Sequence, residues 1–124
     1  MSITVEWFDI HQTIIIAQIG YGWGWSTAHQ ARLTIGRLAQ SVSYPVSLIV
    51  VLPHDISVPP NGFAENSKDA LERHALIGLH CVIYVTSNPS TQALWQLAID
   101  TYASVAVHYR FAATLQAAVA LLPC

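Results

Sequence analysis

Two periods of hydrophobic and polar residues run through this chain. Ile3, Val5 and Trp7 interleave with Thr4, Glu6 and Phe8, the two-residue period of a strand with one better buried face. Asp9 to Gln12 can turn the chain into a second strand over Thr13 to Ile19, so the two predict a hairpin. Val46 to Leu52, V-S-L-I-V-V-L, is too short for a globular helix and too apolar for a one-sided strand. It predicts a strand covered on both faces, in the middle of a mostly parallel sheet. Cys81 to Val85 predicts another buried strand. Ser104 to Phe111 predicts a last one, with His108 and Arg110 opposite Val107 and Tyr109.

Between the strands the period lengthens. Ala31, Ile35, Leu38 and Val42 form the buried stripe of a first helix, with His29, Arg32 and Gln40 off the stripe. Ser26 or Thr27 is its expected cap, because Thr27-Ala28-His29-Gln30 fits the capping-box pattern. Gly62 to Ala75 predicts a second helix with Phe63, Ala70 and Leu71 inward and Glu65, Lys68, Asp69, Glu72 and Arg73 outward. Asp69 and Arg73 are favourably spaced there. Asn88 caps a third helix that Pro89 begins, with Ala93, Leu94, Leu97, Ala98 and Thr101 as its expected inner face. Thr114 caps a closing helix through Leu122, on which Leu115, Val119 and Leu122 pack down. This order predicts one α/β domain over residues 1–124: a layered, mostly parallel five-stranded sheet with an N-terminal hairpin, right-handed crossovers and four helices.

Composition adds constraints. Hydrophobic residues make up 53% and charged residues 10%, against a usual ~25% charged, so part of the surface is expected to lie against a protein partner or a second copy. A net charge of -2 and scattered Arg32, Arg37, Lys68, Arg73 and Arg110 argue against nucleic acid. The uncharged interval from Arg73 to Asp100 is broken by His74, His80 and the turn Ser87-Asn88-Pro89-Ser90, so no membrane span is expected. The N-terminus has no basic segment and carries Glu6 and Asp9, which predicts a cytoplasmic setting. Cys81 reads as a small core residue and Cys124 as a free thiol. The histidines at 11, 29, 54, 74, 80 and 108 show no ligand spacing, so neither a metal nor a cofactor is expected.

In a parallel sheet, function gathers at the carboxyl ends of the strands. Three loops belong there: Gly20 to Ser26, Pro53 to Gly62, and Thr86 to Asn88. They bring Trp23, Trp25, His54, Asp55, Ser57 and Asn61 into one region, beside Ser87 and Asn88. The run Gly20-Tyr21-Gly22-Trp23-Gly24-Trp25 lacks the spacing of a dinucleotide or phosphate loop. Its rings either lid the core or form an aromatic platform. Helix N-termini at this edge favour an anion, unless Ser87, Asn88 and Thr27 are used as caps. His54, Asp55 and Ser57 sit on one loop, whereas a triad is normally assembled from separate elements, and there is no G-x-S-x-G elbow. No catalytic residue is assigned.

With two initial strands and Asp55-Ile56-Ser57 after the central strand, the chain resembles STAS-type domains, the fold of bacterial anti-sigma-factor antagonists. In that family an Asp-Ser/Thr-Ser-Gly loop opens the second helix, and phosphorylation of its Ser or Thr releases a partner. Carried over by position, Asp55 and Ser57 correspond, with Ser57 the position for phosphorylation. Val58-Pro59-Pro60 stands where the family has a small residue and glycine, and Asn61-Gly62 comes several positions late. The resemblance implies a non-enzymatic regulatory module docking a protein partner through the loop 53–62 and the second helix. The alternative is a small-ligand receptor, holding a lipid head group or nucleotide between the Trp23 and Trp25 rings and the helix N-termini.

Overall fold

The computed structural model describes residues 3–55, 58–59 and 61–124. Its elements are β1 (Ile3–Trp7), β2 (Ile14–Ile19), α1 (Trp25–Gln40), β3 (Val46–Val51), α2 (Phe63–Leu76), β4 (Leu79–Val85), α3 (Pro89–Tyr102), β5 (His108–Ala112) and α4 (Leu115–Ala120). The strands lie side by side in chain order, β1-β2-β3-β4-β5, with β1 antiparallel to β2 and every other pair parallel. β3 is thus the central strand, and its Val46, Leu48 and Ile49 are fully buried.

Each crossover moves one strand further in the same direction, so right-handed connections put α1, α2 and α3 on one face. That face holds the larger core, in which Ile15, Leu48, Val82 and Tyr84 of the sheet meet Ile35, Ala39, Leu71, Trp95 and Ala98 of the helices. On the opposite face α4 and the residues after it pack over Ile16, Ile49, Cys81, Ile83 and Val85. Cys124 is not the free thiol expected from the sequence: it is joined in a disulfide to Cys81, with Cα atoms 5.9 Å apart. The pairing is across the core, between residues whose closeness nothing in their separation announces.

Local signals set several boundaries correctly. Asn88 caps α3 by accepting from the Ser90 and Thr91 N–H groups at 3.0 and 3.3 Å, with Pro89 in the first turn. Thr114 caps α4 through the Ala117 N–H at 3.1 Å. Asp69 and Arg73 pair at 3.2 Å. Other expectations are corrected. α1 begins at Trp25 with Gly24 as its cap, and Thr27 works from inside the first turn, its hydroxyl taking the Gly24 N–H at 2.9 Å and donating to the Gly24 carbonyl at 2.8 Å. α3 presents Thr91, Trp95 and Ala98 to the core, leaving Ala93 and Thr101 in solvent and Leu97 64% exposed. Burial of an indole is worth more than that of a leucine, and it fixes the rotation of the helix. On α4 and just after it, Leu115 and Leu122 pack down as expected beside the fully buried Ala118, but Val119 faces out. β5 starts at His108 because Ser104 to Val107 is a turn closed by the Val107 N–H to the Ser104 carbonyl at 3.3 Å.

Candidate ligand site

The three strand-to-helix loops do converge, and side chains stitch them together. The Tyr21 hydroxyl donates to Asp55 at 2.5 Å, which raises the Tyr21 pKa, and the Trp25 indole donates to the Asn61 carbonyl at 2.6 Å. His54 Nδ1 and the Ser87 hydroxyl share a hydrogen bond of 2.9 Å. Asn88 joins the third loop to the second, its amide nitrogen donating to the His54 carbonyl at 2.7 Å while its oxygen caps α3. Of the residues singled out from the sequence, Trp23, Trp25, His54, Asp55 and Asn61 therefore lie in one cluster, while Ser57 lies outside the described residues. Asn88 is engaged as a cap and Asp55 brings negative charge to this edge.

The rings of the cluster continue inward. Trp23 and Trp25 meet edge to face with centroids 5.0 Å apart, and Trp25 leads to Phe63 at 6.1 Å. Phe63 abuts Trp95 at 5.2 Å, and Trp95 stacks on Tyr84 at 5.1 Å. Tyr84 stacks in turn on Phe111 and Tyr109 of the edge strand. An unbroken row of aromatic side chains thus runs from the first loop to β5. Trp23 and Trp25 are half-buried, Trp23 against the core, and both line a cavity beneath the loops.

That cavity measures about 80 Å³ and lies between the sheet and α1 and α2. Its sheet wall comes from Ile3 of β1, β2 and β3, with Ala17, Ile19, Leu48 and Val50. Its existence follows from side-chain size: Ala17, Ala28, Ala31 and Ala70 face it from three elements, where larger residues would close it. The space is a half-open apolar pocket rather than a sealed void.

Of the polar side chains on the wall, Arg32, Asn66 and His74 have partners. Arg32, only 11% exposed, forms an ion pair with Asp69 at 3.3 Å, although its Nε is not aligned for a hydrogen bond; burial lowers its pKa and the Asp69 charge opposes the drop. The Asn66 amide donates to the Gly62 carbonyl at 2.8 Å. His74 is buried, with Nδ1 hydrogen-bonded to the Tyr109 hydroxyl at 2.9 Å, and burial followed by the Arg32 charge lowers its pKa to about 4. Trp95, 8% exposed, has an indole N–H with no acceptor among the described residues. A buried donor left in that state costs about 1–3 kcal/mol.

Arg32 corrects the expectation that it falls off the α1 stripe, and His74, Asn66 and Trp95 were not singled out from the sequence. Ser67, Leu71 and His74 recur at helical spacing, as do Thr91, Trp95 and Ala98, so the periodicity was present. Polarity at 74 and bulk at 95 concealed it. Among the described residues no group of three His, Cys, Asp or Glu side chains is placed to hold a metal ion, and no helix is long and apolar enough to cross a membrane. Comparison of the chain with protein-family models, curated proteins and solved structures gives no match.

Proposed function

We propose that this chain is a non-enzymatic binding module that takes a small apolar molecule into the cavity beneath the Trp23 and Trp25 loop. The observation that carries the reading is a void lined on three elements by alanine and roofed by two tryptophans. It favours the small-ligand alternative of the sequence reading, with the site moved inward from the helix N-termini to the space between sheet and helices. A lipid head group or a nucleotide does not suit such walls, since both carry phosphate and the polar groups of the loop cluster are paired with one another.

The experiment is a cavity-filling substitution read with a ligand of no particular chemistry. Benzene or xenon added to the protein is expected to shift NMR signals of Ile19, Leu48 and Val50 saturably, and the Ala31→Leu variant is expected to lose the response while gaining thermal stability. No saturable shift in the wild-type protein would end this reading.

Docking of a protein partner through the loop 53–62 and α2, with a STAS-type kinship behind it, is favoured by a separate observation. Tyr21 is 69% exposed on the outer side of the loop cluster, beside Asp55, and offers an aromatic anchor on a rigid support. A cytoplasmic setting belongs with that reading, and there the Cys81–Cys124 pair would be held largely as thiols.

A further inference from the structure

The cavity also restricts what its ligand can be, an inference that rests on the proposed binding role. We infer that the ligand is a compact, neutral, largely apolar molecule, of about one six-membered ring, carrying a carbonyl or hydroxyl oxygen that accepts from the Trp95 indole N–H. The indole is rigidly placed, stacked on Tyr84 at 5.1 Å with an interplanar angle of 18° and held edge to face by Phe63 at 5.2 Å. Its N–H direction is therefore fixed before anything binds, as a recognition donor requires.

Neutrality follows from the remaining polar groups. Arg32 is mostly buried and held against Asp69 at 3.3 Å, and the surface that the cavity presents is almost wholly apolar. His74 is uncharged at neutral pH and is engaged with Tyr109. An anion in this cavity would be desolvated against these apolar walls, whereas a single neutral oxygen meets the Trp95 N–H, a buried donor with no acceptor among the described residues. The size limit comes from the volume of about 80 Å³. A fused-ring or long-chain molecule would have to displace Trp23 and Trp25.

Cyclohexanone and methylcyclohexane, matched in heavy atoms and differing in the oxygen, are the probes. In the wild-type protein cyclohexanone is expected to move the Trp95 indole ¹H–¹⁵N signal, and methylcyclohexane is expected to leave it nearly in place. Trp95→Phe is expected to weaken cyclohexanone binding roughly tenfold and to change methylcyclohexane binding by less than about twofold. Equal effects on both probes, or an unmoved indole signal with cyclohexanone bound, would overturn the inference while leaving the apolar binding role intact. Failure of both probes to bind the wild-type protein would overturn the two together. The wild-type indole measurement decides the matter even if the substituted chain does not fold.

Discussion

His74 Nδ1 of α2 and the hydroxyl of Tyr109 on edge strand β5 meet at 2.9 Å, with their rings 5.9 Å apart. The contact joins the middle of the helical layer to the last strand and runs beside the cavity wall. It also leaves an imidazole where water is excluded, so protonation in the folded state carries a cost that the unfolded chain does not bear.

The consequence is a stability that depends on pH in a defined window. The folded pKa of His74, about 4, lies below its ordinary 6.5, so between those values the unfolded chain binds the extra proton. Stability from this group is complete above pH 6.5 and falls as pH drops toward 4, by up to about 3 kcal/mol. Urea denaturation at pH 7 and pH 4.5 measures it, and His74→Gln is expected to flatten the difference. Asp9 acts elsewhere on the scale: burial pushes its pKa up, but hydrogen bonds from the Thr13 hydroxyl and the Ile14 and Thr13 N–H groups outweigh it, and the net lowering places its effect below pH 3.8. A profile unchanged by His74→Gln would mean that this imidazole is not the titrating group.

A second expectation concerns the covalent tie between β4 and the residues after α4. The bond spans a separation of 43 residues, for which loop entropy allows up to about 4 kcal/mol of stabilisation. Dithiothreitol is expected to lower the melting temperature by on the order of 10 °C, and Cys124→Ser is expected to show the same loss and no further response to reductant. Calorimetry with and without reductant reads both; equal melting temperatures would show that the bond contributes nothing.

Gly62 supplies a third. It caps α2 in the left-handed region at φ 84°, and an added Cβ would sit 3.0 Å from the Asn66 amide nitrogen and 3.4 Å from the Trp25 ring. Gly62→Ala is therefore strained in its backbone and crowds two residues that line the cavity, and a loss of about 1–2 kcal/mol is expected by denaturant unfolding. Gly24, with extended backbone and open space at its Cβ, is the control and is expected to lose well under that amount as Ala.

Much of the architecture was legible because strands and helices here obey their periods. V-S-L-I-V-V-L announced the central strand through its lack of polar positions, and Asn88-Pro89 announced a helix start through the chemistry of a single side chain. The loop cluster was legible too, because parallel topology sends all three loops to one edge. The cavity was not. It arises from the coincidence in space of Ala17, Ala28, Ala31 and Ala70, and each of them taken alone is an unremarked small residue on a buried face. Arg32 and His74 were hidden for the complementary reason: polar side chains on inward positions look like surface until their partners, Asp69 and Tyr109, are seen across the packing. Leu97 and Val119 show the same limit from the apolar side, since which hydrophobic face a helix buries depends on what it lies against.

The side-by-side strand order carries a kinetic corollary. Every strand hydrogen-bonds to the ones just before and after it in the chain, and none has to slot between two that were made earlier. Assembly can grow outward from β3 in either direction, closing one crossover at a time, which limits the loop entropy of each step. Refolding of this domain should accordingly be quicker than that of a doubly wound sheet of equal length, whose chain must travel back to its starting strand before the second half can form.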